Sequence, residues 1–194
     1  PWLRSHPLTI ERIAAARLRA RQGLPQDPAK SHLTEHSLMR ARARALMDTS
    51  DPALRRMQGQ ARLNAPLNDA TRLGTLYGGA LASIELRDFA SASQMIAQAE
   101  EVMARHAAAV AEQDSGAVPP PAPPAQVVVT PRLYPIEPEV ARDFLLLRVE
   151  EAAARRSAPE IVSAVAALGK DRSRPALMAR AEAAVARGAA RDPA

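Results

Sequence analysis

The stretch LNDATRLGTLYGGALASIELRDFASASQMIAQAEEVMARH, residues 67–106, decides the fold of this chain. In both of its halves, apolar residues recur every three or four positions, which places them on one face of an α-helix. They are Leu73, Tyr77, Leu81 and Ile84 in the first half, and Phe89, Ala92, Ile96, Ala99 and Met103 in the second. The mostly polar segment ELRD between the halves, residues 85–88, is typical of a turn. The stretch therefore predicts two antiparallel helices joined as a hairpin, Leu67–His106.

Helical spacing extends over most of the remaining chain. Hydrophobic residues make up 47% of the 194 residues, whereas aromatic residues make up only 3%. Alanine supplies much of the apolar content, and alanine favours helices more than any other residue. We expect an all-α fold of about seven helices, with at most one short strand near Val127. Because the chain has no cysteine, disulfides and thiolate metal sites are excluded.

Caps and prolines predict the helix boundaries outside the hairpin. One helix is predicted between Thr9 and Gly23, and another covers residues 34–48. Asp51 is the predicted N-cap of the next helix, which carries Leu54, Met57 and Ala61. The last three predicted helices cover residues 137–156, 159–168 and 174–187. Residues 107–136 hold seven of the 17 prolines and predict a loop. In the last helix, we expect Leu177, Met178, Ala181 and Val185 to face the core, because they follow helical spacing.

Two of the predicted helices share a sequence pattern. The pattern RxExAxAR begins at Arg148 and again 32 residues later at Arg180. A unit of two helices repeated at this distance is close to the tetratricopeptide period of about 34 residues. It predicts a helical solenoid, in which each repeat packs on its neighbours.

The hairpin also resembles a tetratricopeptide repeat, in which a small residue lets two helices approach and an aromatic residue closes the turn. The interval from Gly78 to Ala92 is two residues longer than that pattern requires, so an ordinary αα-hairpin is the alternative. The predicted repeat-packing residues are Tyr77, Gly78, Leu81, Phe89, Ala92 and Ile96.

The segment LRSHPLTIERIAAARLRA, residues 3–20, resembles the end of the protease domain in a family of bacterial zinc metalloproteases. These are periplasmic HExxH enzymes with a tetratricopeptide tail, related to the beta-barrel assembly-enhancing protease. The family pattern of Ser/Thr-His-Pro, then Arg-Ile or Arg-Leu, is similar to Ser5-His6-Pro7 and Arg12-Ile13. TEHSLMRARARAL, residues 34–46, and YGGALASIELRDFASA, residues 77–92, resemble its linker helices and first repeat. The resemblance covers residues 3–105.

This resemblance implies a division of the chain. The parts are the end of the protease domain at 1–24, linker helices at 25–66, a tetratricopeptide-like hairpin at 67–106, a Pro-rich loop at 107–136, and further tetratricopeptide-like helices at 137–194, cut at the C-terminus. The resemblance implies a non-catalytic, protein-binding tail of a zinc metalloendopeptidase, which recruits substrates or envelope assembly partners. It also implies a periplasmic location, association of the parent with the outer membrane, and a His6 that caps the zinc only in the full-length enzyme.

Catalytic residues are not expected in this chain. An HExxH motif needs a histidine followed directly by glutamate, whereas the four histidines here are followed by Pro, Leu, Ser and Ala. HLTEH, residues 32–36, matches the inverted motif H-x-x-E-H. It straddles a predicted helix start at Thr34, which would place His32 outside the helix. We therefore assign this chain no catalytic residue and no cofactor, and we expect zinc only in the parent.

Two other functions are compatible with the sequence. The chain would also serve as a free-standing helical-repeat scaffold without a protease parent. A net charge of +5 allows a basic nucleic-acid binder, which is the weakest alternative, because arginine alternates with glutamate and aromatic residues for base stacking are few. We expect protein or peptide partners and no nucleic acid. We expect no transmembrane segment either, since no apolar run reaches about 20 residues.

Overall fold

The computed structural model describes Leu18 and residues 32–63, 68–115 and 133–191. All of these except Leu18 belong to one compact unit, His32–Ala194. They contain seven helices: α1 Leu33–Met47, α2 Asp51–Arg62, α3 Asp69–Glu85, α4 Phe89–Asp114, α5 Pro138–Ala154, α6 Ala158–Ala167 and α7 Arg174–Arg191. These ranges contain no strand, and the predicted all-α class is confirmed. His6, the predicted helix before Gly23 apart from Leu18, and the predicted strand near Val127 lie outside the described residues.

Helix α3 is surrounded by α1, α2 and α4, which all pack on it, and its glycines set how closely they approach. A methyl group on Gly74 would lie 2.9 Å from Cβ of Ser37 in α1. A methyl group on Gly79 would lie 2.8 Å from Sδ of Met95 in α4, and against Cβ of Ala61 in α2. Nonbonded carbon atoms prefer separations of about 3.5–4.0 Å. The neighbouring helices therefore reach these positions only because α3 has no side chain there.

The hairpin of α3 and α4 forms as predicted and closes with a three-residue turn. The N–H of Asp88 donates to the carbonyl of Ser83 at 2.8 Å, and the N–H of Arg87 donates to that of Ile84 at 2.9 Å. This is the bonding pattern of a Schellman motif, with Arg87 at the left-handed position and a φ of 58°. The carboxylate of Asp88 then caps α4 by accepting the N–H of Ser91 at 3.2 Å.

The hairpin of α5 and α6 closes with the same kind of turn. Arg156 has a φ of 59°, and the N–H of Ser157 donates to the carbonyl of Ala152 at 3.1 Å. Helices α3 and α5 each have 17 residues. These packed helix pairs are compatible with a helical repeat, and the tetratricopeptide type stays a prediction.

The predicted 32-residue repeat does not match the helix boundaries. Helices α5 and α7 begin 36 residues apart. The two RxExAxAR segments therefore lie at different distances from the starts of their helices, and the difference of four residues is about one helical turn. Ala152 of the first segment is buried, whereas its counterpart Ala184 is exposed.

Helix α5 contributes to both hydrophobic clusters of the unit. The first cluster contains buried residues of α1, α2, α3, α4 and α5. Helix α5 contributes Val140, Phe144 and Leu147 to it. The second joins α5 to α6 and α7, with Val149 and Ala152 from α5. Because apolar side chains of α5 face both clusters, the helix has no single apolar stripe, and it connects the two hairpins through its side chains.

Three predicted boundaries differ from the structure. Helix α4 continues to Asp114, although a loop was expected from residue 107. The sequence AAAVAEQD at its end contains no proline, and alanine, glutamate and glutamine favour helix. His32 rather than Thr34 occupies the N-cap of α1. Ser50 rather than Asp51 occupies the N-cap of α2. The N–H of Ser50 donates to the carboxylate of Asp48 at 3.1 Å.

Helix α7 buries a different face from the one expected. Leu177, Met178 and Val185 are 53%, 58% and 73% exposed. Ala181 is exposed as well, so the predicted place of these four residues in the core was wrong. The buried residues of α7 are Ala176, Ala179 and Ala183, which belong to the second hydrophobic cluster. Alanine permits close approach of helices, and its burial here turns the larger apolar side chains outward. The outcome is a row of exposed apolar side chains on α7.

Candidate functional site

A groove of about 440 Å³ lies between α1, α5 and α7. Its apolar lining comes from Met39, Leu146, Val149, Pro175, Met178 and Ala179. Met39 and Met178 are 42% and 58% exposed, whereas Val149 and Ala179 are buried. Methionine side chains are flexible and polarisable, and they adapt to ligands of irregular shape. The groove therefore offers an apolar surface whose exposed parts can adjust to a partner.

Arg42 joins three helices at one side of this groove. Its Nη1 donates to the hydroxyl of Tyr77 at 2.8 Å, and its Nη2 donates to Oε1 of Glu150 at 2.8 Å. Burial raises the pKa of Tyr77, and the nearby guanidinium only partly offsets this effect. The phenol is therefore neutral at physiological pH. These two bonds connect α1 with α3 and α5, and they fix the guanidinium in the lining of the groove.

Asp143 is a buried carboxylate in the same lining. The residue is 8% exposed, and its Oδ1 lies 3.5 Å from Nη2 of Arg142. Its other oxygen, Oδ2, has no hydrogen-bond partner among the described residues. Burial raises the pKa of Asp143 above its ordinary value, while Arg142 lowers it and the charge of Glu35 raises it further. Such a group is stabilised by any donor or cation that reaches it.

The groove carries negative charge in a basic chain. Its lining contains the carboxylates of Asp143, Glu150 and Glu182, and the guanidinium of Arg42. The whole chain has a net charge of +5. The sign of the groove is therefore opposite to that of the molecule, which favours a ligand of positive charge.

A second groove, of about 390 Å³, lies between α4, α5 and α6. Its buried carboxylate, Glu151, accepts bonds from Ser93 Oγ at 2.5 Å and from Arg155 Nη2 at 2.6 Å. Arg148 in its lining donates to Glu100 at 2.7 Å. Because its main polar groups already bond to protein partners, this groove is the weaker candidate for a binding site.

Four of the predicted repeat-packing residues lie in the core. Tyr77, Leu81, Ala92 and Ile96 are at most 3% exposed. The ring of Tyr77 meets that of Phe144 edge to face, with centroids 5.6 Å apart. Nothing in the sequence paired Phe144 with Tyr77.

Gly78 and Phe89 have other surroundings than the repeat pattern implies. A methyl group on Gly78 would lie 3.1 Å from Cβ of Ala41 in α1. The missing side chain therefore allows the close approach of α1, and not that of the hairpin partner α4. Phe89 is half-buried at the start of α4. Its ring lies 5.4 Å from the guanidinium of Arg87 and 5.1 Å from that of Arg155, at the ends of the two hairpin turns. It thus joins the two turns by cation–π contacts.

The three described histidines have separate surroundings. His32 precedes α1, and its Nδ1 lies 3.2 Å from Oε2 of Glu35, while His36 is exposed. Nδ1 of His106 lies 2.7 Å from Oδ2 of Asp69, and its Nε2 lies 2.9 Å from the carbonyl of Tyr134. Within residues 32–63, 68–115 and 133–191, no three His, Asp or Glu side chains come together as a metal site would require.

Comparison of the chain with protein-family models, with curated proteins and with solved structures returned no match. Among the described helices, none is both long enough and apolar enough to span a membrane. The case for a function therefore rests on the groove and on the sequence resemblance described above.

Proposed function

We propose that this chain is a non-catalytic helical region that binds proteins or peptides in the groove between α1, α5 and α7. The observation that carries the proposal is the pair of exposed methionines, Met39 and Met178, facing one groove of about 440 Å³. Apolar side chains exposed together in a concave site are stabilised when a partner removes them from water. The same groove contains a buried acceptor, Oδ2 of Asp143, without a partner among the described residues.

Selection of binders from a phage-displayed library of random peptides tests this proposal. Synthetic copies of the selected peptides are then titrated against the chain and two variants of α7. Met178→Asp places a charge in the groove, whereas Val185→Asp changes a 73% exposed side chain of the same helix that does not line it. We expect Met178→Asp to weaken binding by about tenfold or more, since removal of a well-packed anchor costs on this scale.

The matched variant decides the interpretation. Val185→Asp should bind like the unaltered chain, and circular dichroism should show both variants folded, because both side chains are exposed. Equal binding by all three proteins would place the peptides elsewhere and would contradict the proposed site.

We also propose that the chain is the tail of a bacterial zinc metalloendopeptidase of the periplasm, where the groove would recruit substrates or envelope assembly partners. The resemblance of residues 3–105 supports this part of the proposal. Zinc would be held by the HExxH motif of the parent's catalytic domain. The chemistry of peptide cleavage would therefore lie outside this chain, whose described residues would supply only binding.

The reading frame of the gene tests this parentage. An HExxH motif encoded upstream in the same frame is expected, together with peptidase activity of the purified parent that a zinc chelator abolishes. Met178→Asp in the parent should then reduce cleavage of protein substrates more than that of short peptides. A frame without HExxH would contradict the parentage and would leave a free-standing helical scaffold.

A further inference from the structure

We propose that the groove between α1, α5 and α7 selects a cationic amphipathic segment, whose basic side chain lies beside Asp143, Glu150 and Glu182 and whose apolar side chains contact Met39 and Met178. The inference rests on the proposed function and names the class of its ligand. It follows from the charges of the groove, from Oδ2 of Asp143, which has no partner among the described residues, and from the pairing of Arg42, the one cation among the described residues that line the groove, with Glu150.

The carboxylates of the groove differ in what already neutralises them. Glu150 is paired with Arg42 at 2.8 Å. Glu182 is exposed and forms no ion pair with any described residue. Asp143 lies 3.5 Å from Arg142, beyond the usual length of a charge-assisted hydrogen bond. Glu182 therefore lacks a paired cation, and Asp143 has only the long contact with Arg142, so a lysine or arginine of a ligand would supply a closer cation to both.

Asp143 makes this preference specific. Its side chain is nine-tenths buried, and its Oδ2 has no hydrogen-bond partner within the described residues. Its Oδ1 has only the long contact with Arg142, so the charge of this buried carboxylate is incompletely compensated, which is costly unless a further cation or donor reaches it. An ammonium or guanidinium group in the groove would favour the ionised form of Asp143, and a neutral or acidic ligand would not. The groove thus discriminates by charge and not only by apolar contact.

Arg42 does not favour acidic ligands in spite of its charge. Its Nη1 and Nη2 already donate to Tyr77 and Glu150. The guanidinium has further N–H donors, but its charge is already paired with Glu150, and a ligand carboxylate that reached it would share the groove with Glu150, Asp143 and Glu182. An acidic segment would therefore meet like charges, which disfavours it.

The two exposed methionines explain why the ligand must be amphipathic. Met39 comes from α1 and Met178 from α7, so the two flank the carboxylates of α5 from different helices. A segment that presents apolar side chains beside its basic one, as one face of a helix does, contacts both methionines while its cation meets the acidic residues. A wholly polar basic segment would gain only the charge interactions, which are weak when exposed to water.

The test uses three labelled synthetic peptides: one of leucine and lysine spaced as an amphipathic helix, its glutamate-for-lysine analogue, and a lysine–serine peptide of equal charge. Binding to the chain is measured by fluorescence anisotropy at low and at physiological salt. The double variant D143N/E182Q removes two negative charges with little change of shape. E101Q, on an exposed residue of α4 outside the groove, is a control that removes one negative charge elsewhere.

We expect the leucine–lysine peptide to bind more tightly than both other peptides, and we expect D143N/E182Q to weaken it by about tenfold. E101Q should leave the dissociation constant unchanged. Equal binding of the glutamate analogue, or an unchanged dissociation constant for D143N/E182Q, would overturn the charge preference. If the peptides that bound the unaltered chain no longer bound the Met178→Asp variant, the proposed function would stand without this inference.

Three further outcomes complete the test. Met178→Gln removes the apolar contact without adding a negative charge, and binding of the leucine–lysine peptide that survives this substitution unweakened would overturn both the inference and the proposed site. If none of the three peptides bound, the inference would be overturned, and the random-library selection would decide the proposed function alone. Self-association in sedimentation that Met178→Asp abolishes would show that a second copy of this chain occupies the groove, and it would overturn the assignment to a foreign segment.

Discussion

Replacing Gly79 by alanine tests how α3 packs against its neighbours. The added methyl group would lie 2.8 Å from Sδ of Met95 and against Cβ of Ala61. Met95 has a flexible side chain, but the methyl of Ala61 cannot move unless the backbone of α2 moves with it. Overpacking of this kind costs about 1–3 kcal/mol. The higher helix propensity of alanine returns up to about 1 kcal/mol. We expect a net loss of about 1–2 kcal/mol in the free energy of unfolding.

Gly59 is the matched control, because it is also a glycine within a helix. A methyl group there would meet no atom within 4 Å. Gly59→Ala should therefore stabilise the chain by about 0.5–1 kcal/mol through helix propensity alone. Equilibrium urea unfolding followed by circular dichroism measures both variants. If Gly79→Ala were as stable as Gly59→Ala, α2 and α4 would not approach α3 as described, and the central packing would be wrong.

The remaining predictions concern the core, a cap and a histidine. Phe144→Ala should lower the free energy of unfolding by about 3–5 kcal/mol, because the ring is 1% exposed and packs on Tyr77. A thermal melt close to that of the unaltered chain would contradict the place of Phe144 in the core. Asp88→Ala should cost about 1–2 kcal/mol in urea unfolding, because the carboxylate caps α4 and also accepts from Gln58 at 2.8 Å; a loss within error of zero would mean that the cap contributes nothing. Burial opposes the charge of His106, but its bonds to Tyr134 and Asp69 outweigh burial and raise its pKa. The contribution of protonated His106 to the free energy of unfolding is therefore complete below its unfolded pKa of about 6.5, and it is lost as pH rises through the higher folded pKa. His106→Gln should remove this part of the pH dependence of unfolding. Identical pH profiles for the variant and the unaltered chain would refute the prediction.

The helices could be predicted because their signals are local. Apolar spacing and the ELRD turn located the α3–α4 hairpin, and Leu81, Ala92 and Ile96 lie in its core as helical spacing required. The extension of α4 to Asp114 was missed because its last turns are rich in alanine and poor in large apolar residues, which weakens the periodic signal. At the C-terminal end of α4, the helix propensity of the residues was the informative signal, and the spacing of apolar side chains was not.

The groove could not be predicted, because it depends on contacts between distant parts of the chain. Arg42 and Glu150 are 108 positions apart, and each looked like one of many charges on a solvated helix. The exposure of Met178 depends on which face α7 buries, and the alanines of that helix, not its larger side chains, supply the buried face. Spacing alone cannot distinguish an apolar face in the core from an apolar face in a binding groove. The sequences of α1 and α7 place leucine and methionine next to arginine, which is a partial signal of the groove.

The methionine methyl groups provide the most direct test of binding in the groove. The chain has six methionines, of which Met39 and Met178 line the groove, while Met47 is 87% exposed and lies outside it. NMR spectra of methyl-labelled methionine report each of these positions separately during titration with a selected peptide. We predict saturable shifts of Met39 and Met178, with Met47 and the buried Met95 unchanged. Shifts at Met47 without shifts at Met39 and Met178 would contradict the groove as the binding site.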